Sequence, residues 1–151
     1  VLVDLAMTSP TLAAVSTDPA APGLTELMQG TAPFGQIITK DRVSGVHLVD
    51  AGRDVAQRPL LQLPRINLAI DALQRVYEYV VIDAGTAADL PAAVIAAQAH
   101  AVVIPDAAIT SAGRAVMRDQ LLASGFAGVT ILSATAVAAV PGASEARVAA
   151  A

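Results

Sequence analysis

The sequence has no cysteine, few aromatic residues and few charges. Without cysteine the chain forms neither disulfide bonds nor thiolate metal sites, which fits a reducing compartment. Because aromatic residues make up only 3% of a chain that is 55% hydrophobic, Ala, Val, Leu and Ile must build the core. The net charge of -4 argues against clustered Lys and Arg, so we expect no nucleic-acid partner.

Long apolar runs are also missing. The two most apolar stretches, residues 92–104 and 129–140, are shorter than the roughly 20 residues that a membrane-spanning helix needs. The first residues lack the basic start and apolar stretch of a signal peptide. Val1 is not an initiator methionine and lies inside an apolar strand pattern, so we expect a fragment of a longer protein.

Apolar strand patterns alternate with helical ones along the chain. Strands are predicted at residues 1–5, 46–52, 79–83, 101–106 and 129–133, with a minor strand at 37–38. Helices are predicted at residues 24–29, 60–77, 90–98 and from Thr110 or Ser111 to Ala123. This alternation predicts a doubly wound, mostly parallel sheet with helices on both faces. We expect one α/β domain over residues 1–133 and a weakly ordered, Ala-rich tail over 134–151.

Aspartates stand at or just beyond several predicted strand ends, which in such folds meet along the ligand-binding edge of the sheet. They are Asp4, Asp50, Asp83 and Asp106. Together they could hold Mg²⁺ through water, although aspartate is also common in turns. We favour turn or capping roles for Asp50 and Asp106. For Asp4 and Asp83 both roles stay open, because a wholly apolar strand ending in Asp is where phosphate-handling folds place metal-binding carboxylates.

Other polar residues predict no site. His47 and His100 have no partner at metal-ligand spacing, and we expect them to be core or surface histidines. The arginines of the middle of the chain are expected to be solvated helix and loop charges rather than an anion site: Arg53, Arg58, Arg65 and Arg75.

The order of these segments resembles the bacterial tyrosine kinases of capsular and exopolysaccharide biosynthesis, relatives of septum-site and chromosome-partitioning ATPases. Residues 1–4, Pro10, 23–27 and Gly30 resemble the second Walker motif and the segment after it. Residues 46–52 resemble the family strand that ends in Ala-Gly, and 79–83 its Walker B strand. The resemblance covers about residues 1–133 and implies a P-loop NTPase-like fold whose first strand is missing.

The resemblance also implies roles for two of the aspartates. Asp4 would match a Mg²⁺-associated or base-like carboxylate, which would be catalytic if the chain is active. Asp83 would match the Walker B carboxylate, so the implied metal ligands are Asp83 and Asp4. A divalent ion held in this way neutralises charge between phosphates.

The sequence departs from the family at each functional motif. No Gly-x-x-x-x-Gly-Lys-Ser/Thr loop occurs, and the only lysine, Lys40, lies in a segment without the required glycines. Ala6 stands where the family usually has a second Asp, and residues 84–86 replace its Thr-Pro-Pro. The family's C-terminal tyrosine cluster is absent. The only tyrosines, Tyr77 and Tyr79, are expected to anchor packing at a helix-to-strand junction.

We expect two causes together to account for the missing phosphate-binding loop and the other departures. The loop would lie upstream of Val1, which accounts for the abrupt start, and the parent would be degenerate, which accounts for Ala6, the altered segment after Asp83 and the lost tyrosines. The family's loop-bearing strand lies beside the strand that carries Asp83. Its removal should leave unpaired backbone on both neighbours. The sheet would then close in another order, oligomerise or pair with the missing segment.

The expected function is that of a regulatory or assembly domain of an exopolysaccharide export system, catalytically silent as this chain. We expect it on the cytoplasmic side of the inner membrane, with a polysaccharide-export membrane component or its own membrane-embedded parent as partner, and homo-oligomers as a further option. No cofactor is expected unless an upstream P-loop supplies an Mg-ATP site. The alternatives are an active ATPase or tyrosine kinase completed by that loop, and a receiver-like or metal-binding α/β domain.

Overall fold

The computed structural model describes residues 1–6, 12–86, 94, 99–106 and 108–132. Contacts between residues divide the chain into two compact units, Val1–Gln98 and Ala99–Ala151. The predicted tail over 134–151, the helix-start residues 8–10 and most of the helix predicted over 90–98 lie outside the described residues. No helix in the described part of the chain has the length and apolar character that crossing a membrane requires.

The first unit is built on a four-stranded sheet. Its strands are β1 (Leu2–Asp4), β2 (Ile38–Lys40), β3 (His47–Val49) and β4 (Val81–Asp83). They lie in the order β2-β3-β1-β4. The central strand β1 runs parallel to both β3 and β4, and only β2 is antiparallel to its neighbour β3. The predicted α/β class with a mostly parallel sheet is therefore confirmed.

The strands β2 and β3 form a hairpin that the sequence did not predict. The six residues between them include Gly45 at φ +69°, and the Asp41 carboxylate accepts hydrogen bonds from the amides of Val43 and Ser44. A connection this short can join only antiparallel strands. The minor strand predicted at 37–38 is therefore present, shifted to Ile38–Lys40, as the antiparallel edge of the sheet.

Helices cover the sheet of the first unit. They are α1 (Leu12–Val15), α2 (Leu24–Gln29) and α3 (Ile66–Val76), with 3-10 helices at Phe34–Gln36 and Val55–Gln62. The helix predicted over 60–77 is divided, because Pro59 and Pro64 lack the amide donors that a continuous helix needs. The buried side of α3 carries Ile66, Ala69, Ile70 and Leu73, and its exposed side includes Leu68.

The second unit contains a parallel strand pair joined by a helix. Its elements are β5 (His100–Val103), α4 (Ser111–Ala123) and β6 (Gly128–Ile131). Four register pairs align the two strands, from His100 with Gly128 to Val103 with Ile131. Leu121 and Phe126 are the buried hydrophobic residues of the helix end and the following turn.

Four strands have an edge that no other strand of the described residues pairs with: β2, β4, β5 and β6. The strand β4 pairs only with β1, and β5 pairs only with β6. The sequence led us to expect an unpaired edge on the strand that carries Asp83, which is β4. Exposed apolar side chains lie on β4 and β5, with Val81 at 53% and Val102 at 62% relative exposure.

The start of α4 provides a test of local structure. The Thr110 hydroxyl accepts a hydrogen bond from the Gly113 amide at 3.1 Å, so Thr110, rather than the alternative Ser111, is the N-cap. We expect Thr110→Ala to lower the free energy of unfolding by about 1 kcal/mol, because an orphan helix amide loses its acceptor. Ser111→Ala in the first helical position is the control, with a change of less than about 0.5 kcal/mol. Equal losses in urea denaturation would contradict the assignment.

Candidate functional site

The ends of the parallel strands bring aspartates together at one edge of the first unit's sheet. Asp4 ends β1, Asp83 ends β4, and the two are register partners across the strand pair. Asp50 directly follows β3, the other parallel neighbour of β1. The sequence-predicted residues Asp4 and Asp83 are therefore adjacent, whereas Asp106 belongs to the second unit.

The same local hydrogen bond occurs at each of the four strand-end aspartates. In each case one carboxylate oxygen (Oδ1) accepts the amide two residues further on, at 2.8 or 2.9 Å. The pairs are Asp4 with Ala6, Asp50 with Gly52, Asp83 with Gly85, and Asp106 with Ala108. The turn role favoured for Asp50 and Asp106 is thus present, and the same role operates at Asp4 and Asp83. Turn geometry therefore does not single out any of the aspartates.

Burial distinguishes Asp4 from the other strand-end aspartates. Asp4 is 0% exposed, whereas Asp83 is exposed. The second oxygens of Asp4 and Asp50 are buried without a hydrogen-bond partner. Burial raises the pKa of Asp4 to about 6; the Ala6 amide opposes this, Asp50 raises the pKa further, Arg58 lowers it and Asp83 raises it. Asp4 is therefore a buried carboxyl group with a pKa of about 6 at this edge of the sheet.

A buried arginine lies within electrostatic reach of Asp4. Arg58 is 1% exposed, and its Nη1 donates a hydrogen bond to the carbonyl oxygen of Ala6. Its Nε and Nη2 have no hydrogen-bond partner. The prediction that Arg58 is a solvated charge is wrong, because the 3-10 helix turns this side chain into the core. Of the other arginines named with it, Arg53, Arg65 and Arg75 are exposed.

Sequence spacing places Arg58 on one side of its helix but does not by itself reveal the burial of its charge. Residues three apart share a face of a 3-10 helix, so Arg58 and the buried Leu61 lie on the same side of the segment Val55–Gln62. The helix is also fixed at its start, since the Asp54 side chain accepts from the Ala56 amide at 2.9 Å. Spacing alone does not show that the buried side of the helix includes a cation. Arginine is seldom fully buried, so the residue type indicated an exposed side chain.

The start of α2 is held against the loop after β3. The amides of Leu24 and Thr25 donate to the carbonyls of Asp50 and Ala51 at 2.9 and 3.0 Å. The Glu26 carboxylate accepts the Gly23 amide at 2.8 Å and the Arg53 amide at 3.2 Å. Burial alone would raise the pKa of Glu26, but these backbone hydrogen bonds outweigh it and lower the pKa. This clamp fixes the backbone on which Asp50 sits.

The tyrosines occupy different environments. Tyr77 is half-buried, its hydroxyl lies 2.6 Å from Nδ1 of His47, and the two rings pack edge to face at 5.5 Å. The packing role predicted for Tyr77 is therefore present. Tyr79 is 72% exposed, so the same prediction is wrong for its ring. A groove of about 490 Å³ runs past Lys40, His47 and Tyr77, and none of the strand-end aspartates lines it.

The strand-end aspartates would supply a divalent cation with only part of its ligands. Mg²⁺ needs octahedral oxygen ligands, usually from one or two carboxylates with substrate phosphates and waters. Asp4 and Asp83 supply two carboxylates, but the described residues contain no group of three acidic, histidine or cysteine side chains able to hold a metal. The guanidinium of Arg58 also acts on Asp4. The Mg²⁺ role of Asp83 and Asp4 stays a proposal.

Comparison with known proteins agrees with the fold read from the sequence. No family model matches the chain, and no curated protein matches it in sequence. The VpsO kinase domain superimposes with a TM-score of 0.68 at 22% identity, covering 86% of this chain and 68% of that one. The Escherichia coli ETK kinase domain gives 0.69 at 16% identity, covering 99% and 59%.

A septum site-determining protein is also similar. The Pyrococcus horikoshii septum site-determining protein MinD, solved with Mg-ADP, gives a TM-score of 0.65 at 16% identity, covering 86% of this chain and 55% of that one. The chain thus spans 54% to 68% of the lengths of the first solved structures that it matches. It has the P-loop NTPase-like α/β fold that bacterial tyrosine kinase domains share with MinD ATPases.

Proposed function

We propose that this chain is a regulatory or assembly domain of an exopolysaccharide biosynthesis or export protein and that it is catalytically silent by itself. The observation that carries the proposal is the composition of the strand-end site. Its buried carboxylate, Asp4, lies within reach of a buried arginine, and the 151-residue sequence offers no lysine-bearing phosphate loop to complete a nucleotide site. Without that loop, neither backbone amides nor a lysine can cradle the phosphates.

The domain would act through protein contacts on the cytoplasmic side of the inner membrane. Its partner would be a polysaccharide-export membrane component or the membrane-embedded part of its own parent protein, and a second copy is a further candidate. Among the described residues no second strand pairs with β4 or with β5, which supports contact-making, because such an edge offers backbone donors and acceptors to another chain. The choice of system is supported by the sequence resemblance to the tyrosine kinases of exopolysaccharide biosynthesis, and the fold similarity to tyrosine kinase domains agrees with it.

One observation favours a second candidate, an active ATPase or tyrosine kinase domain. Asp4 and Asp83 are register partners at the ends of parallel strands, where a Mg²⁺-associated carboxylate and a Walker B carboxylate belong. If a phosphate loop elsewhere in the parent protein completes the site, Asp4 would act as a base-like or metal-associated group and Asp83 would hold Mg²⁺. This chain would then contribute residues to a site that it does not contain entirely.

Nucleotide binding separates the two candidates. We expect calorimetric titration of this chain with Mg-ATP to give a Kd weaker than about 1 mM, and ATP hydrolysis to equal that of a buffer blank. Asp4→Asn is the matched control and should behave as the wild type does. Micromolar binding that Asp4→Asn abolishes would overturn the silent-domain proposal. The same titration on the full-length protein tests the second candidate directly, because tight binding only there identifies a loop outside these residues.

A further inference from the structure

The strand-end site contains opposite charges that are not directly paired. Arg58 contributes one hydrogen bond, to the backbone of Ala6, and leaves Nε and Nη2 without partners. The free acceptors nearby are carboxylate oxygens, the Oδ2 atoms of Asp4 and Asp50. Buried donors and acceptors are normally satisfied, so each unsatisfied group calls for an explanation. Here the unsatisfied donors are cationic and the unsatisfied acceptors are anionic.

A fully buried arginine is costly unless a negative charge compensates it. Asp4 meets that need, because it is itself 0% exposed and lies within electrostatic reach of the guanidinium. The backbone holds the two groups near each other, since Arg58 binds the carbonyl of Ala6 and the Ala6 amide binds Asp4. Ala6 therefore connects the cation to the carboxylate through one residue.

We propose that Arg58 is the resident counter-ion of the strand-end carboxylates and that it keeps divalent cations from binding there. A guanidinium is weakly hydrated and suits a buried ion pair, whereas Mg²⁺ gives up its water reluctantly and needs additional oxygen ligands. The fixed positive charge also repels a second cation, and the low polarity of the core strengthens this repulsion. The negative charge of the site is thus neutralised by a side chain of the same chain, whereas the structurally similar MinD was solved with Mg-ADP.

This inference rests on the proposed function, in which the domain works without Mg-nucleotide, but it can fail separately. Nucleotide binding by the wild type would overturn the silent domain. The role of Arg58 is tested by metal alone, with no nucleotide present. A chain that binds no nucleotide and yet holds a divalent cation at Asp4 would leave the first proposal intact and overturn the second.

The experiment measures bound Mn²⁺ by electron paramagnetic resonance at pH 7.5 in the wild type and in Arg58→Met, which keeps the length of the side chain and removes its charge. We expect no Asp4-dependent binding in the wild type. Arg58→Met should gain Asp4-dependent Mn²⁺ binding, at least about tenfold tighter than any that the wild type shows, because the repelling charge is gone. The double variant Asp4→Asn/Arg58→Met should lose the gain. Asp4-dependent binding in the wild type, or no gain in a folded Arg58→Met variant, overturns the proposal.

A folding readout covers the case in which Arg58→Met does not fold. If Arg58 serves Asp4, Arg58→Met should lower the unfolding temperature less in the Asp4→Asn background than in the wild type. Equal losses in the two backgrounds would show that Arg58 acts independently of Asp4 and would overturn the proposal. The wild type alone also tests the proposal. If Mg²⁺ stabilises the wild type and Asp4→Asn abolishes this effect, Arg58 does not keep divalent cations from the site, and the proposal is contradicted.

Discussion

Replacing Gly52 by alanine is expected to lower the free energy of unfolding by about 3 kcal/mol, the sum of backbone strain and overpacking. Gly52 has φ +121°, which L side chains rarely adopt, and a Cβ there would overlap Oγ1 of Thr25 and lie 2.8 Å from its Cβ. Thr25 has nowhere to move, because it is 1% exposed and its hydroxyl donates to Glu26. Urea denaturation followed by circular dichroism measures the loss.

Gly45→Ala is the matched control for this prediction. Gly45 also has a left-handed φ, +69°, but a Cβ there would meet nothing within 4 Å. Only the backbone penalty of about 1–2 kcal/mol applies to that variant. Equal losses for the two variants would show that the close approach of α2 to the loop after β3 is not the dominant effect. A larger loss at Gly52 supports the tight contact that holds Asp50 at the strand edge.

The strands could be predicted because burial on both faces requires apolar runs. Each of the predicted strands is present, but the regular parts are shorter than the runs, as in Val81–Asp83 within the predicted 79–83. A residue is assigned to a strand only where a neighbour pairs with it, and pairing depends on residues far away in sequence. The antiparallel hairpin of β2 and β3 was missed because its connection, residues 41–46, turns at Asp41 and Gly45. These two residues are not adjacent, so they do not form a dipeptide typical of hairpins.

The composition of the site could be predicted only in part. The apolar run before each aspartate placed Asp4 and Asp83 at strand ends, and the parallel topology brings them together. The difference between a buried Asp4 and an exposed Asp83 depends on which elements cover each strand end. Arg58 contacts a residue 52 positions away in sequence, and no local pattern encodes such a contact. Contacts between residues far apart in sequence therefore determine which charged groups are buried at the site.

Asp4 should make the chain less stable as the pH rises through the range from about 4 to 6. Burial raises its pKa from 3.8 to about 6 in the folded protein, so the folded state binds more protons than the unfolded state in that range. The full stability is present below the unfolded pKa and is lost as the pH passes the folded pKa, by roughly 3 kcal/mol in total. Glu26 acts in the opposite direction, because its lowered pKa removes stability at acid pH.

Comparing Asp4→Asn with the wild type isolates the contribution of Asp4 from that of Glu26. The variant has no titrating group at position 4, so we expect similar free energies of unfolding near pH 4 and a variant more stable by about 2–3 kcal/mol at pH 7.5. Asp71→Asn, on the exposed side of α3, should follow the wild type at every pH. A difference between Asp4→Asn and the wild type that stays constant with pH would show that Asp4 has the same pKa in the folded and the unfolded state. The buried site would then already compensate the charge of Asp4 fully, with Arg58 as the nearest cation able to do so.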